Sequence, residues 1–212
     1  MKLQRETGAR TLEASQRSSR VVFTTTIVGL VASVALNVLL ARRVQSLTHA
    51  RSSKIAEYQL KVGTVVPPIV AKRFGGQQEV ISYQSTNQPT VLYVFTPPCS
   101  WCARNMDNLK ALVDQENGRY RFIGLSLSNE GLAEYVAKND LNLRIYSGLS
   151  DETKRAYKLS GTPETIAVST EGKVLQSWMG AYVGEQKKEI ETYFNVTLPG
   201  LRELPKAEAA KN

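Results

Sequence analysis

Residues that bind metals are scarce in this chain, which contains one histidine, two cysteines and three methionines among 212 residues. The histidine, His49, has no cysteine, aspartate or second histidine at ligand spacing, and we interpret it as a solvated linker residue. A structural zinc site needs about four N, S or O ligands. The part of the sequence after residue 57 offers two cysteines and no histidine. The sequence therefore argues against a structural zinc site, and we predict no bound metal or cofactor.

Acidic residues are scarce only near the N terminus. The net charge is +8, but residues 1–55 contain nine basic and two acidic residues, whereas residues 56–212 contain eighteen and seventeen. A nucleic-acid-binding domain clusters its basic residues on the folded part of the protein. That part is nearly neutral here, so we predict no nucleic-acid partner.

Charged residues are absent from residues 21–41, the one hydrophobic stretch long enough to cross a bilayer. As a helix this stretch would span about 30 Å, the thickness of the hydrocarbon core. A buried core helix is another interpretation of this stretch, but such a helix would normally carry a polar face. A cleaved signal peptide remains an alternative because Ser33 and Ala35 are small residues at the spacing of a cleavage site, but the apolar region of a signal peptide is usually shorter. We predict an uncleaved transmembrane signal anchor, whose orientation the arginines on both sides leave open.

Composition and turn signals divide the chain into five segments. We predict a basic tail over residues 1–20, the anchor over 21–41, a linker over 42–57, a folded domain over 58–198 and a flexible tail over 199–212. In the domain we predict a hairpin at Gly75–Gly76, a buried strand over 91–95, a helix over 99–114, a strand over 120–128, a helix capped by Asn129, a strand over 144–146, a helix over 151–159 capped by Ser150, a hairpin over 165–182 and a helix over 183–194. This order predicts an α/β fold with a mixed sheet flanked by helices.

The only two cysteines, Cys99 and Cys102, lie where the predicted strand over 91–95 meets a predicted helix. A helix N terminus stabilises a thiolate, so we predict that Cys99 is the attacking nucleophile and that the more buried Cys102 resolves the mixed disulfide. Pro98 lacks an N–H group and holds the approach extended. Ser100 and Trp101 are expected to tune the redox potential and contact the substrate. A structural disulfide would close too short a loop to stabilise the chain much, so the spacing favours a redox pair.

A second element, Gly161-Thr162-Pro163, follows the cysteines by some sixty residues and precedes a predicted strand, turn and strand. With the cysteine motif, residues 60–63, the Pro67–Pro68 pair and the closing hairpin that contains Gly172 and Gly180, it makes residues 58–195 resemble the thioredoxin-like superfamily. The closest resemblance is to its membrane-anchored, TlpA-like (redoxin) branch. The resemblance implies a thioredoxin-like fold with a cis Thr162–Pro163 bond beside the cysteines, and a Thr162 backbone that pairs with an extended substrate.

The same resemblance implies a membrane-tethered thiol–disulfide oxidoreductase that reduces disulfides of periplasmic proteins. It would be a single-pass protein of the bacterial inner membrane with its C-terminal domain in the periplasm, and would receive electrons from another membrane protein. Two positions depart from the family pattern. Tyr93 stands where thioredoxins have a buried aspartate, and Asn105 stands where TlpA-like reductases often have a glutamate. The sequence therefore leaves the proton acceptor for Cys102 unassigned.

Two other functions remain open at this stage. Thr96 precedes Cys99 by three residues, as in the T-x-x-C pattern of thiol peroxidases, although Leu92 replaces the proline of that pattern. A non-enzymatic copper-binding or assembly factor would use the two thiolates for Cu(I). Met106 is the only methionine close to them in sequence, and the only histidine lies in the predicted linker.

Overall fold

The computed structural model describes residues 29–30, 32–45, 60–116, 118–141 and 143–203, and the chain divides into two units, residues 1–55 and 56–212. In the first unit the described residues are helical and exposed. They include residues 42–45, which were predicted as the start of the linker. Among the described residues, no helix has both the length and the apolar character needed to cross a bilayer. The predicted tail over 1–20, residues 21–28 and 31 of the predicted anchor, and residues 46–57 of the linker lie outside the described residues.

The second unit contains a seven-stranded mixed sheet with the strand order β2-β1-β5-β4-β3-β6-β7. The strands are β1 (Ile69–Arg73), β2 (Gln78–Ile81), β3 (Thr90–Phe95), β4 (Arg121–Ser126), β5 (Arg144–Ser147), β6 (Glu164–Val168) and β7 (Val174–Met179). The helices are α1 (Ser100–Arg104), α2 (Met106–Gln115), α3 (Leu132–Asn139), α4 (Asp151–Ala156) and α5 (Gly184–Phe194). The predicted α/β architecture with a mixed sheet is confirmed.

Strand β3 lies near the centre of the sheet, parallel to β4 and antiparallel to β6. All six of its residues are buried, as expected of a strand that is covered on both faces. Leu92 and Val94 belong to the core on one face, whereas Tyr93 and Phe95 belong to the core on the other face together with Cys102. The strand therefore leads directly into the cysteine motif and places Tyr93 on the same side of the sheet as Cys102.

The predicted helix over residues 99–114 is in fact two helices, α1 and α2, that meet at Asn105. The Asn105 backbone has φ −82° and ψ 0°, outside ordinary helical values. Its side chain is fully buried, and its Oδ1 accepts hydrogen bonds from the Tyr182 backbone N–H at 2.9 Å and from Asn108 Nδ2 at 3.0 Å. Because the partner Tyr182 lies 77 positions later, this break has no local sequence signal.

Most other predicted elements are confirmed, with ends that differ by a few residues. Strands β1 and β2 form the hairpin predicted at Gly75–Gly76, and Ser150 caps α4 by accepting a hydrogen bond from the Thr153 N–H at 3.1 Å. The prediction of Asn129 as a helix cap is wrong. Helix α3 starts after Gly131, whose φ of 66° is left-handed and suits a residue without a Cβ.

The buried position of β3 predicts a large difference between two chemically identical substitutions. Val94 is 0% exposed and Val80 is 64% exposed. Val94→Ala removes two buried carbons and leaves a cavity, so it should lower the free energy of unfolding by about 2–3 kcal/mol. Val80→Ala should change it by less than about 0.5 kcal/mol. Urea denaturation of both variants measures the difference; equal losses would contradict the assignment of β3 as the core strand.

Candidate thiol redox site

Cys99 caps the N terminus of α1 with its own sulfur. Its backbone is extended, with φ −72° and ψ 111°, and its Sγ accepts a hydrogen bond from the Cys102 N–H at 3.1 Å. The residue is half-buried, while Pro98 just before it is exposed. The Cys99 sulfur is thus hydrogen-bonded to the first turn of α1, and it is accessible enough for another sulfur to approach.

The predicted second element lies directly beside Cys99. The Thr162–Pro163 bond is cis, as the resemblance implied. Cys99 Sγ lies 3.5 Å from the carbonyl oxygen of Thr162, and the hydroxyls of Thr162 and Thr96 are hydrogen-bonded at 3.1 Å. The fold therefore brings together two motifs that are some sixty residues apart in the sequence.

Cys102 is fully buried, and both cysteines are free thiols. Its sulfur belongs to the core cluster that also contains Tyr93, Phe95, Met106 and Tyr135. The Phe95 and Tyr135 rings stack with their centroids 5.0 Å apart. The attacking and resolving positions predicted from the sequence thus have opposite environments, one accessible and one enclosed.

These environments shift the two thiol pKa values in opposite directions. A hydrogen bond from the Cys102 thiol, helped by Thr162 and by the backbone N–H groups of Cys102 and Trp101, lowers the pKa of Cys99 to about 6 against the opposing effect of burial. Burial raises the pKa of Cys102, and its interaction with the Cys99 sulfur raises it further. Cys99 is therefore the thiolate at neutral pH, and Cys102 holds the proton.

Of the two residues between the cysteines, Trp101 faces solvent. Its side chain is 49% exposed, and the Arg104 guanidinium carbon lies 4.7 Å from its ring centroid. Ser100 is the first residue of α1 and is partly buried. The structure thus places an aromatic surface next to Cys99.

Sequence reasoning missed the surroundings of the buried thiol. Tyr135 lies in the helix predicted after Asn129, a prediction that gives it no role in the site, yet it packs in the same cluster as Cys102. Tyr182 was assigned to a strand, but it lies after β7 and its N–H fixes Asn105. Both contacts join distant segments, and no local pattern marks them.

Comparison with known proteins identifies the family of this chain. The Redoxin family profile matches residues 61–194. The chain belongs to the Redoxin family. A search of curated proteins finds no match for this redoxin.

Solved structures similar to this redoxin share its thioredoxin-like fold. The thioredoxin domain of a thiol-disulfide oxidoreductase from Bacteroides vulgatus aligns with a TM-score of 0.53 and 19% identity, over 65% of this chain and 100% of that one. A protein from Chlorobium tepidum named as thiol:disulfide interchange protein DsbE aligns with a TM-score of 0.55 and 17% identity, over 63% and 95% of the two chains. At these identities the similarity shows a shared fold.

The asymmetry of the two thiols predicts selective alkylation. In the reduced protein, iodoacetamide should modify Cys99 with an apparent pKa of about 6, while Cys102 stays unmodified because it is buried. Cys102→Ala should raise the apparent pKa of Cys99, since it removes the thiol that donates to the Cys99 sulfur. Mass spectrometry of peptides after alkylation across the pH range measures both. Two thiols that titrate together at about 8.5, the ordinary value, would contradict the geometry.

Proposed function

We propose that this redoxin is a membrane-tethered, TlpA-like thiol–disulfide oxidoreductase that reduces disulfides of periplasmic proteins. The observation that carries the proposal is the arrangement of the two sulfurs. Cys99 Sγ is held by the Cys102 N–H at the start of α1, beside Thr162, while Cys102 is enclosed one turn further on. Such a pair can attack a disulfide with one sulfur and release the product with the other.

The chemistry follows from the pKa values of the pair. The Cys99 thiolate attacks one sulfur of the substrate disulfide, so that a Cys99–substrate bond forms and the other substrate sulfur leaves. Cys102 then attacks Cys99 Sγ, which forms the Cys99–Cys102 disulfide and releases the second substrate sulfur. The substrate gains two electrons and the pair loses them. A membrane thiol protein would return these electrons to the pair after each turnover.

The N-terminal segment supports tethering. The described residues 29–30 and 32–45 are helical, and their apolar side chains face solvent, including Leu30, Leu36, Leu39, Leu40 and Val44. An exposed apolar surface of this kind is costly in water and stable in hydrocarbon. It continues the uncharged stretch that begins at residue 21. We infer that this helix is the end of a membrane anchor and that the redoxin domain faces the periplasm.

No specific contact among the described residues favours either alternative function. The Thr96 hydroxyl, which suggested a thiol peroxidase, is hydrogen-bonded to the Thr162 hydroxyl and so orders the loop beside Cys99. Met106, considered for a copper factor, is the first residue of α2 and is fully buried in the core cluster that also contains Cys102.

Reduction of a protein disulfide tests the chemistry. With dithiothreitol as reductant, the domain should accelerate the reduction of insulin, and Cys99→Ser should abolish the acceleration because it removes the nucleophile. Cys102→Ser should instead accumulate a mixed disulfide with the substrate, visible on non-reducing gels. Val80→Ala, an exposed change far from the pair in sequence, serves as the control and should retain full activity. Rapid consumption of hydrogen peroxide without insulin reduction would overturn the proposal in favour of a peroxidase.

A fusion experiment tests the location. Alkaline phosphatase is active only after export, so its fusion to the C terminus of the full chain should be active in bacteria and should remain in the membrane fraction after carbonate extraction. Removal of residues 21–41 should release the fusion from the membrane and abolish the phosphatase activity. An inactive full-length fusion would place the domain on the cytoplasmic side and contradict the proposed topology.

A further inference from the structure

Buried polar atoms without partners surround Cys102. Within the described part of the chain, Tyr93 Oη, Tyr135 Oη and Asn105 Nδ2 are buried and make no hydrogen bond. Buried polar groups are nearly always paired, so each exception calls for an explanation. Tyr93 and Tyr135 share the core cluster of Cys102, and Asn105 follows it by three residues. Two hydroxyl donors thus lie in the core cluster of one buried sulfur, and an amide donor lies next to that cluster.

A chain of hydrogen bonds fixes which way the Asn105 amide points. The Gly200 N–H donates to Asn108 Oδ1 at 2.7 Å, so the other end of the Asn108 amide, Nδ2, donates to Asn105 Oδ1. The Tyr182 N–H donates to the same oxygen. Because both partners are donors, the accepting atom must be the oxygen of Asn105 and its Nδ2 must face the other way. The Asn105 amide is therefore left to donate towards Tyr93.

The Tyr93 hydroxyl keeps its proton in this environment. Burial, together with the neighbouring Cys102, Tyr182 and Tyr135, raises the pKa of Tyr93 well above its ordinary value, and the Asn105 amide opposes this shift only in part. Tyr135 behaves in the same way, with Cys102 and Cys99 adding to the effect of burial and Arg202 opposing it. Tyr93 is thus a hydrogen-bond donor and not a base.

We propose that Tyr93, oriented by the Asn105 amide, donates its hydroxyl hydrogen to the sulfur of Cys102 and stabilises the thiolate that resolves the mixed disulfide. The proposal rests on the thiol–disulfide chemistry proposed above. A hydroxyl donor placed in an enclosed site stabilises developing negative charge strongly, because water does not compete for it. Tyr135 supplies a second hydroxyl to the same sulfur.

Cys102 can resolve the mixed disulfide without a carboxylate that accepts its proton. When Cys99 attacks the substrate disulfide, the sulfur that leaves takes up the proton of the Cys102 thiol. The Cys102 thiolate, held by the Tyr93 O–H, attacks Cys99 Sγ, the bond between Cys99 and the substrate breaks, and the second substrate sulfur leaves as a thiolate. The new Cys99–Cys102 disulfide has given two electrons to the substrate. Tyr93 retains its proton throughout.

The experiment uses Ellman's reagent, because each of its two aromatic thiolates reports a different step. Attack by Cys99 releases the first, and attack by Cys102 on the resulting mixed disulfide releases the second. In stopped-flow absorbance, Tyr93→Phe should leave the first phase unchanged and slow the second by at least about ten-fold; loss of one preorganised donor can cost about 10²–10³-fold. The pH profile of the second phase should move to higher pH, since the Cys102 thiolate becomes harder to form.

Tyr83→Phe is the matched control. Tyr83 is equally buried, but its hydroxyl is hydrogen-bonded to that of Tyr157 at 2.7 Å in the core on the other face of the sheet. This variant should lose stability and leave both phases unchanged. Any loss of stability in Tyr93→Phe should be smaller than in Tyr83→Phe in urea denaturation, because the Tyr93 hydroxyl makes no hydrogen bond of ordinary geometry.

Two results would overturn the proposal. One is an unchanged second phase in both Tyr93→Phe and the double variant Tyr93→Phe/Tyr135→Phe. The double variant is needed because the Tyr135 hydroxyl could replace that of Tyr93 in the single variant. The other is an equal slowing of both phases in Tyr93→Phe and Tyr83→Phe, which would mark a general effect on packing. Failure of the proposed function would look different, because the wild-type protein would then fail to reduce insulin while still releasing both thiolates of the reagent.

Discussion

The hydrogen bond from the Cys102 N–H to the Cys99 sulfur organises the whole site. It is 3.1 Å long and replaces the oxygen cap that a helix usually has with a sulfur cap. A sulfur that caps a helix is stabilised as an anion, and the residue that donates the N–H is held one turn inside the helix. This contact therefore adds to the larger effect of the Cys102 thiol in lowering the pKa of Cys99, and it holds Cys102 where the core cluster can enclose it. It requires a helix that starts immediately after a central strand, which the β3–α1 connection provides.

The polar contacts behind the site reach unusually far along the chain. Gly200, in the segment after α5, is linked through Asn108 to Asn105, and Asn105 is also linked to Tyr182. Arg202 adds an ion pair with Asp107 on α2. These contacts join the region where α1 meets α2 to the segments that follow β7 and α5. The part of the chain after α5 thus helps to determine where the amide of Asn105 points, although it lies far from the cysteines in sequence.

The predictions from sequence succeeded where the cause is local. The uncharged apolar run 91–95, the Gly75–Gly76 turn and the Ser150 cap each carry their signal within a few residues, and all three are present in the structure. The break at Asn105 and the packing of Tyr135 on Phe95 depend on partners more than thirty residues away. Asn129 failed as a helix cap because a left-handed glycine, Gly131, starts α3 instead. The cysteine motif was visible in the sequence, but the environment that controls Cys102 was not.

The opposite pKa shifts of the two thiols also bear on the direction of electron flow. The lowered pKa of Cys99 stabilises the reduced, folded protein above the ordinary thiol pKa, and this stabilisation is lost as the pH falls through about 6. A stabilised thiolate favours the dithiol over the disulfide, which makes the pair a weaker reductant. The raised pKa of Cys102 acts in the opposite sense, since burial disfavours a second charge. At neutral pH the reduced pair therefore holds one negative charge and one proton. The proposed reductase would depend on a continuous supply of electrons, and the proposed membrane anchor would keep it beside a membrane donor.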